Sequence, residues 1–385
     1  MTIEELPTPS LLVEKGRLEK NLRDMQEKAR TESVNLRPHT KTHKSVAIAR
    51  RQTDLGAHGL TVARVGEAEV FAAAGFSDIR IAYEVVGRNL YERLAALQYR
   101  SRISVCVDTA EGARSLSEWF ASAGKELEVL VEVDTGHGRC GVAWNDGGAV
   151  DFVRFVSELP GLSWRGLLTH AGHAYGGPAD ESEARSAALE RYSAEERDGI
   201  LSLADKLAFA GLRPDVVSVG STPTVSRFKN VSKNGLRVTE IRPGNYVFND
   251  AMQVGLSVTT LENCALTVLA TVISRHRSRG GAERVYLDAG KKTVTSDTGY
   301  GTTGYGILLY NPRTMTPLPH AAITGLSEEH GWVEVSGGST LHVGDQVRFV
   351  PNHACVTVDT KDVLYIVDGT DVAEEVRVDA RGRST

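Results

Sequence analysis

The chain has 385 residues, 41% of them hydrophobic and 24% charged, the balance of a soluble globular protein with room for two or three domains. A formal net charge of −5 argues against a basic nucleic-acid surface, and no apolar run reaches the ~18 residues that a membrane span needs. The opening MTIEELPTPS lacks a positive segment and an apolar stretch, so no signal peptide is expected; four scattered cysteines without a C-x-x-C pair fit a reduced, cytoplasmic protein.

An N-terminal segment, 1–16, is expected to pack with the far end of the chain. From residue 17 to 254 short β-branched runs alternate with amphipathic stretches. The helical pattern Leu18–Arg30 leads into VNLRPHT; HGLTVA, the pattern Val65–Gly75, IRIAYEV, RISVCVD, EVLVEVD, WRGLLTH, VVSVGS and IRPGNYVF follow. Eight strand–helix alternations in about 230 residues have the size and rhythm of an α/β fold of the (β/α)8 barrel type, which this reading prefers over a doubly wound sheet. From 255 to 385 the rhythm changes. ALTVLATVISRH, RVYLDAG, GWVEV, STLHVGDQVRFVP, ACVTV and VLYIVDG read as close-set strands of a separate all-β domain.

A barrel of this type keeps its active site at the C-terminal ends of its strands. Those ends carry His39 and Lys41, Arg64, Tyr83 and Glu84, Asp108, Asp134 and Arg139, then His170, His173 and Tyr175. The seventh and eighth supply Gly220, Ser221 and Thr222, and Arg242–Tyr246, small residues where barrels commonly hold phosphate. Loops are polar anyway, which accounts for the aspartates. It does not account for the small residues facing a lysine.

The run LRPHTKTHKS places Lys41 among cations, and a cationic crowd favours a neutral, nucleophilic amine. Lys41 shares the strand phase of His39, whereas Lys44 falls out of it. A phosphate cradle and a nucleophilic lysine together suit pyridoxal 5′-phosphate, an aldehyde that condenses with amines and acts as an electron sink. In PNHACVTVD, His353 and Cys355 are expected on one face of a strand. Imidazole and thiolate there suit a borderline-soft divalent metal with positions left for water or substrate, although H-x-C alone is a weak signal.

Together RPHTKTHKS, VEVDTGHGRCG, THAGHAY, SVGSTPT, RPGNYVF, SEEHG and PNHAC resemble the D-threonine aldolase and D-serine dehydratase family, alanine-racemase-like pyridoxal-phosphate enzymes, from about residue 7 to the C-terminus. The resemblance implies a homodimer acting on a small D-hydroxy amino acid with a divalent metal (zinc, manganese or magnesium). It makes Lys41 the Schiff-base lysine, with Arg139 near the cofactor's phenolic edge and Tyr175 near its pyridine nitrogen. Gly220, Ser221, Thr222, Gly244 and Asn245 become the phosphate cradle, and His353 and Cys355 the metal pair.

Several aldolases of the family carry a carboxylate where this chain has Cys355, as dehydratases do not. The wider texture nevertheless favours an aldolase, with His173 as base on the substrate hydroxyl, over a dehydratase. A racemase would need an opposing acid or base such as Tyr300 or Tyr305, and it has no use for H-x-C. A single-barrel cofactor-binding protein would not need the β domain.

Overall fold

The computed structural model describes residues 1–385 apart from 278–282, 308, 312, 314–317, 319 and 337–339. The first ten strands are β1 (Ser10–Glu14), β2 (Asn35–Leu36), β3 (Leu60–Val62), β4 (Asp78–Glu84), β5 (Arg102–Val107), β6 (Leu127–Asp134), β7 (Val142–Ala143), β8 (Leu162–Thr169), β9 (Val216–Val219) and β10 (Glu240–Ile241). Eight of them lie in parallel in the order β2-β10-β9-β8-β6-β5-β4-β3. The ends of that row meet. His58 N–H donates to Leu36 O (2.8 Å), Thr61 N–H donates to Pro38 O (2.9 Å), and His39 bridges Thr61 in parallel. The sheet is thus a closed (β/α)8 barrel, not an open doubly wound sheet.

The strands read as continuous apolar runs because both their faces are covered; every residue of β6 from Val129 to Val133 is buried. Helices alternate with them on the outside. One spans Val65–Ala73 and stops before Gly75, where the sequence places its end. Inside, the barrel departs from the branched apolar layers usual for the fold. Cys106, Leu130 and Leu168 form only a small plug. Beside it Glu240 accepts from Arg37 Nε (2.6 Å), Ser218 Oγ (2.5 Å) and Arg80, and Arg37 also binds Asp78 (2.6 Å).

Burial alone would raise the Glu240 carboxyl, but Arg80 and Arg37 reverse this and hold its pKa at about 2. The folded-state value is depressed, so this stabilisation is present above the ordinary carboxylate range and is lost as pH falls toward 2. Glu240→Gln would leave buried Arg80 without its carboxylate partner and Arg37 with Asp78 alone. Urea unfolding at neutral pH should show a loss of about 3–5 kcal/mol; an unchanged midpoint would mean that the network is stabilised by other means.

The second unit consists of β11 (Leu266–Arg277), β12 (Glu283–Leu287), β13 (Leu309–Tyr310), β14 (Ala321–Leu326), β15 (Gly331–Val335), β16 (Gln346–Phe349), β17 (Val363–Asp368) and β18 (Asp371–Arg377). Its main path runs β14-β15-β12-β11-β1-β17-β18, antiparallel except between β1 and β17. β1, from the start of the chain, is an inner strand here, paired with β11 and β17. β11 changes register between Val272 and Ser274, and it pairs with β1 and β16 before that point and β12 from it on. Of the run that opens at Ser339, which lies outside the described residues, Gln346–Phe349 is strand.

Two local expectations are corrected. ACVTV is not a strand but the short helix Ala354–Val358, with His353 as its extended N-cap. Its β-branched residues suggest strand. The decisive interaction comes from far away in sequence, because Asp250 Oδ2 accepts the Ala354 N–H (2.8 Å) and thereby caps the turn. Likewise strand β2 ends at Leu36, and Lys41 lies in a helical turn, Thr40–Thr42, so the shared strand phase of His39 and Lys41 is not what orients them.

Candidate active site

A cavity of about 520 Å³ opens at the C-terminal ends of the barrel strands, a volume suited to a small-molecule site. Lys41, Arg139, Tyr175, Gly220, Ser221, Thr222, Gly244, Asn245, His353 and Cys355 all line it. His173 does not: its ring packs against Tyr192 with centroids 4.9 Å apart, near His137. Tyr300 and Tyr305 are also absent from the lining in this chain.

The turn bearing Lys41 is fixed at both ends. His39 N–H donates to Pro243 O (3.0 Å), Thr40 Oγ1 donates to Thr61 O (3.2 Å), and Lys44 N–H donates to Thr40 O (2.7 Å). The basic run around Lys41 is less charged than its sequence suggests. Burial, and then Lys41 itself, push His39 well below the ordinary histidine range, and the same two effects act on His170. Burial brings His43 down to about 4. Lys44 turns away to Asp359 (2.7 Å) and Glu67 (3.5 Å), so it adds little to the cationic crowd that the sequence places around Lys41.

The hydrogen bonds also fix two tautomers. His39 Nδ1 accepts the Lys41 N–H (3.3 Å), so the ring's own proton is on Nε2. His170 Nδ1 lies 2.7 Å from the Gly220 carbonyl oxygen, which can only accept, so its Nε2 is a bare base.

The loops after β9 and β10 make a compact cradle. A Cβ on Gly220 (φ +144°) would lie 2.8 Å from Arg242 N, and one on Gly244 would lie 3.0 Å from both His39 O and Thr42 Oγ1. Ser221 caps the turn Thr222–Arg227, and Asn245 heads another, positions whose first N–H groups have no partner within the helix. The Asn245 side chain donates to Asp250 Oδ2 (2.5 Å) while its Oδ1 is buried without a hydrogen-bond partner among the described residues. A cradle of small residues at the heads of two turns, in one cavity with a lysine, fits a phosphorylated aldehyde.

His353 and Cys355, the pair expected to hold a metal, are themselves held by residues that sequence reasoning missed. His353 Nδ1 bonds Asp297 Oδ2 (2.7 Å), which leaves Nε2 for a ligand. Cys355 Sγ lies 3.1 Å from Thr42 Oγ1, next to the turn of Lys41. Burial disfavours the imidazolium, but Cys355, Asp250 and Asp297 outweigh it and push His353 up to about 10. Burial would also raise the Cys355 thiol, yet His353 and then Lys41 pull it below its ordinary value. Thiolate beside imidazole is a donor set that suits zinc or a similar cation. Tyr175 borders this side, near Cys355 and Asp250, and burial raises its pKa.

Asp297 has no local motif, since 56 residues separate it from His353. Asp297→Ala should weaken metal affinity about 10–100-fold in chelator competition while cofactor absorbance persists. Unchanged affinity would show that the contact does not orient the ring.

Also in the lining, Glu132 binds Arg139 Nη2 (3.2 Å) and Cys140 Sγ (3.2 Å). Glu84 faces Glu132, and burial followed by that neighbour pushes Glu84 up to about 7.

A family model described as "Alanine racemase, N-terminal domain" matches residues 13–251, and one described as "Putative serine dehydratase domain" matches 265–367. D-threo-3-hydroxyaspartate dehydratase of Delftia sp. (strain HT23) is 35% identical over 92% of this chain and 93% of its own length. D-threonine aldolase of Arthrobacter sp. is 35% identical over 99% of this chain and 94% of its own.

The chain belongs to the D-threonine aldolase and D-serine dehydratase family.

It is therefore a lyase of the pyridoxal-phosphate-dependent, alanine-racemase-like kind. A solved structure of a D-threo-3-hydroxyaspartate dehydratase, a cysteine-to-alanine variant in the metal-free form, superposes with a TM-score of 0.86 at 31% identity over 98% of both chains. The family implies the cofactor that the cradle and Lys41 fit, and the metal-free variant points to a metal in that relative. Among the described residues no helix is long and apolar enough to cross a membrane.

Proposed function

We propose that this lyase acts on D-β-hydroxy-α-amino acids with pyridoxal phosphate and a divalent metal, as a dehydratase that releases a 2-oxo acid and ammonia. The observation that carries the reading is the meeting of Lys41, the cradle, and the pair His353 and Cys355 in one cavity. Bound there, the cofactor would draw electron density from the substrate's α-carbon. Lys41 would hold it and, once the substrate's amine has taken that place, Lys41 Nζ would accept the α-proton. His353 and Cys355 would hold the metal against the β-hydroxyl and favour its departure as hydroxide. Ser221, Thr222 and Asn245 would anchor the phosphate.

An aldolase needs instead a base on the β-hydroxyl, and His173, assigned that part from sequence, lies off the cavity lining. Cys355 beside His353 is in keeping with a dehydratase relative solved as a cysteine-to-alanine variant in the metal-free form. The aldolase is the second reading. It is supported by identity to D-threonine aldolase equal to that with the dehydratase, and by the bare Nε2 of His170 within the cavity. A homodimer and a cytoplasmic setting belong to the same proposal and rest on the resemblance and on the four free cysteines.

Product analysis decides between the two. Metal-replete, cofactor-loaded protein given D-threonine should yield 2-oxobutyrate and ammonia, with the L-isomer inert. Glycine and acetaldehyde would make it an aldolase.

A further inference from the structure

Besides His353, whose place is beside Cys355, four lining residues carry a permanent or readily held positive charge: Lys41, Arg64, Arg139 and Arg242. Three have tasks. Lys41 is the amine of the proposed chemistry. Arg139 is bound to Glu132 (3.2 Å). Arg242 is buried, with its two terminal nitrogens donating to Ser218 Oγ and Thr169 O. Arg64 differs, because its guanidinium has no carboxylate partner among the described residues and lies over the Tyr83 ring, 3.9 Å from its centroid.

That arrangement is pre-organised. The backbone at Arg64 is extended where β3 passes into the helix Val65–Ala73, and buried Glu67 accepts the preceding Ala63 N–H (2.7 Å). Stacking on Tyr83 leaves the edge of the guanidinium plane, with its paired N–H groups, free for a planar anion. A carboxylate matches that edge by two parallel hydrogen bonds. Arg64 also follows β3, the neighbour of β2, whose following turn carries Lys41, since His39 and Thr61 are bridged.

We propose that Arg64, stacked on Tyr83, receives the α-carboxylate of the substrate and so restricts the site to hydroxy amino acids, as against simple hydroxy amines. The proposal rests on the function given above. The amine at Lys41, the hydroxyl at His353 and Cys355, and the carboxylate at Arg64 then fix three substituents around one α-carbon. Three fixed substituents are what a site needs to prefer one enantiomer.

The test is a binding titration of the cofactor-loaded protein, followed through the visible absorbance of the cofactor, with D-threonine and with 1-aminopropan-2-ol. The second compound is the same skeleton without the carboxylate. The unaltered protein should bind D-threonine on the order of 100-fold more tightly, the scale of a charge-assisted bidentate contact. Arg64→Ala should remove most of that gap by weakening D-threonine alone, and Arg64→Lys should restore part of it. Equal aminopropanol binding in all three proteins shows that the fold and cofactor are intact. A D-threonine affinity within about twofold of the original in Arg64→Ala would overturn the proposal and move the carboxylate to another cation. Binding that depends on Arg64 but leads to no product would overturn the lyase reading of this site and leave the carboxylate assignment supported.

Discussion

Lys41→Ala should abolish the visible absorbance of the lysine-bound cofactor and lower turnover on the order of 10³–10⁶-fold, the range seen when a nucleophilic residue is removed. The turn Thr40–Thr42 is held by backbone contacts to Pro243 and by Thr40 to Thr61, none of which uses the lysine side chain. The variant should therefore fold, and its unfolding midpoint should match that of the unaltered protein. Among the described residues no other lysine lines the cavity to replace it, and Lys44 is engaged by Asp359 and Glu67. Survival of the absorbance band in this variant would remove the cofactor assignment.

The second large effect is expected at the metal pair. His353→Ala and Cys355→Ala should each lose bound metal and lower turnover by several kcal/mol in barrier height, on the order of 10²–10⁴-fold. Cofactor absorbance should remain, since neither side chain belongs to the cradle. The two variants should differ in one respect. Without His353 the Cys355 thiol loses the neighbour that draws its pKa down, so it should react more slowly with a thiol reagent at neutral pH than in unaltered protein stripped of its metal. Metal retained at full stoichiometry in both variants would place the ion elsewhere. The cluster Glu84, Glu132 and Cys140, whose ligand atoms lie within 4.8 Å of one another, is then the alternative location.

The parts of this site that were legible in sequence are those carried by short contiguous motifs. RPHTKTHKS, SVGSTPT, RPGNYVF and PNHAC each place their residues in the lining, because a barrel brings all its strand ends to one rim whatever the intervening helices do. Orientation was less legible. His353 and Cys355 share the cavity through a helix capped by Asp250, a contact across 104 residues that no local pattern reveals. Asp297 is hidden for the same reason.

The charge state of the basic run was also misjudged from composition. Burial neutralises His39 and His43, and two distant acids take Lys44. His173 shows the limit of reading proximity from sequence. It stands three residues beyond His170, but the turn Gly172–Gly176 carries it onto Tyr192 and off the lining. The polar barrel interior around Glu240 was visible only as arginines and a glutamate scattered over distant strands, and nothing local distinguishes these from surface charges.

The central claim is that one cavity joins a lysine-held cofactor to a metal on His353 and Cys355 for the cleavage of D-hydroxy amino acids. It is tested most directly by following D-threonine consumption in one cofactor-loaded sample before chelation, after it, and after the metal is returned. The account predicts activity, then near-complete loss at unchanged cofactor absorbance, then recovery. Undiminished turnover in fully demetallated protein would contradict it.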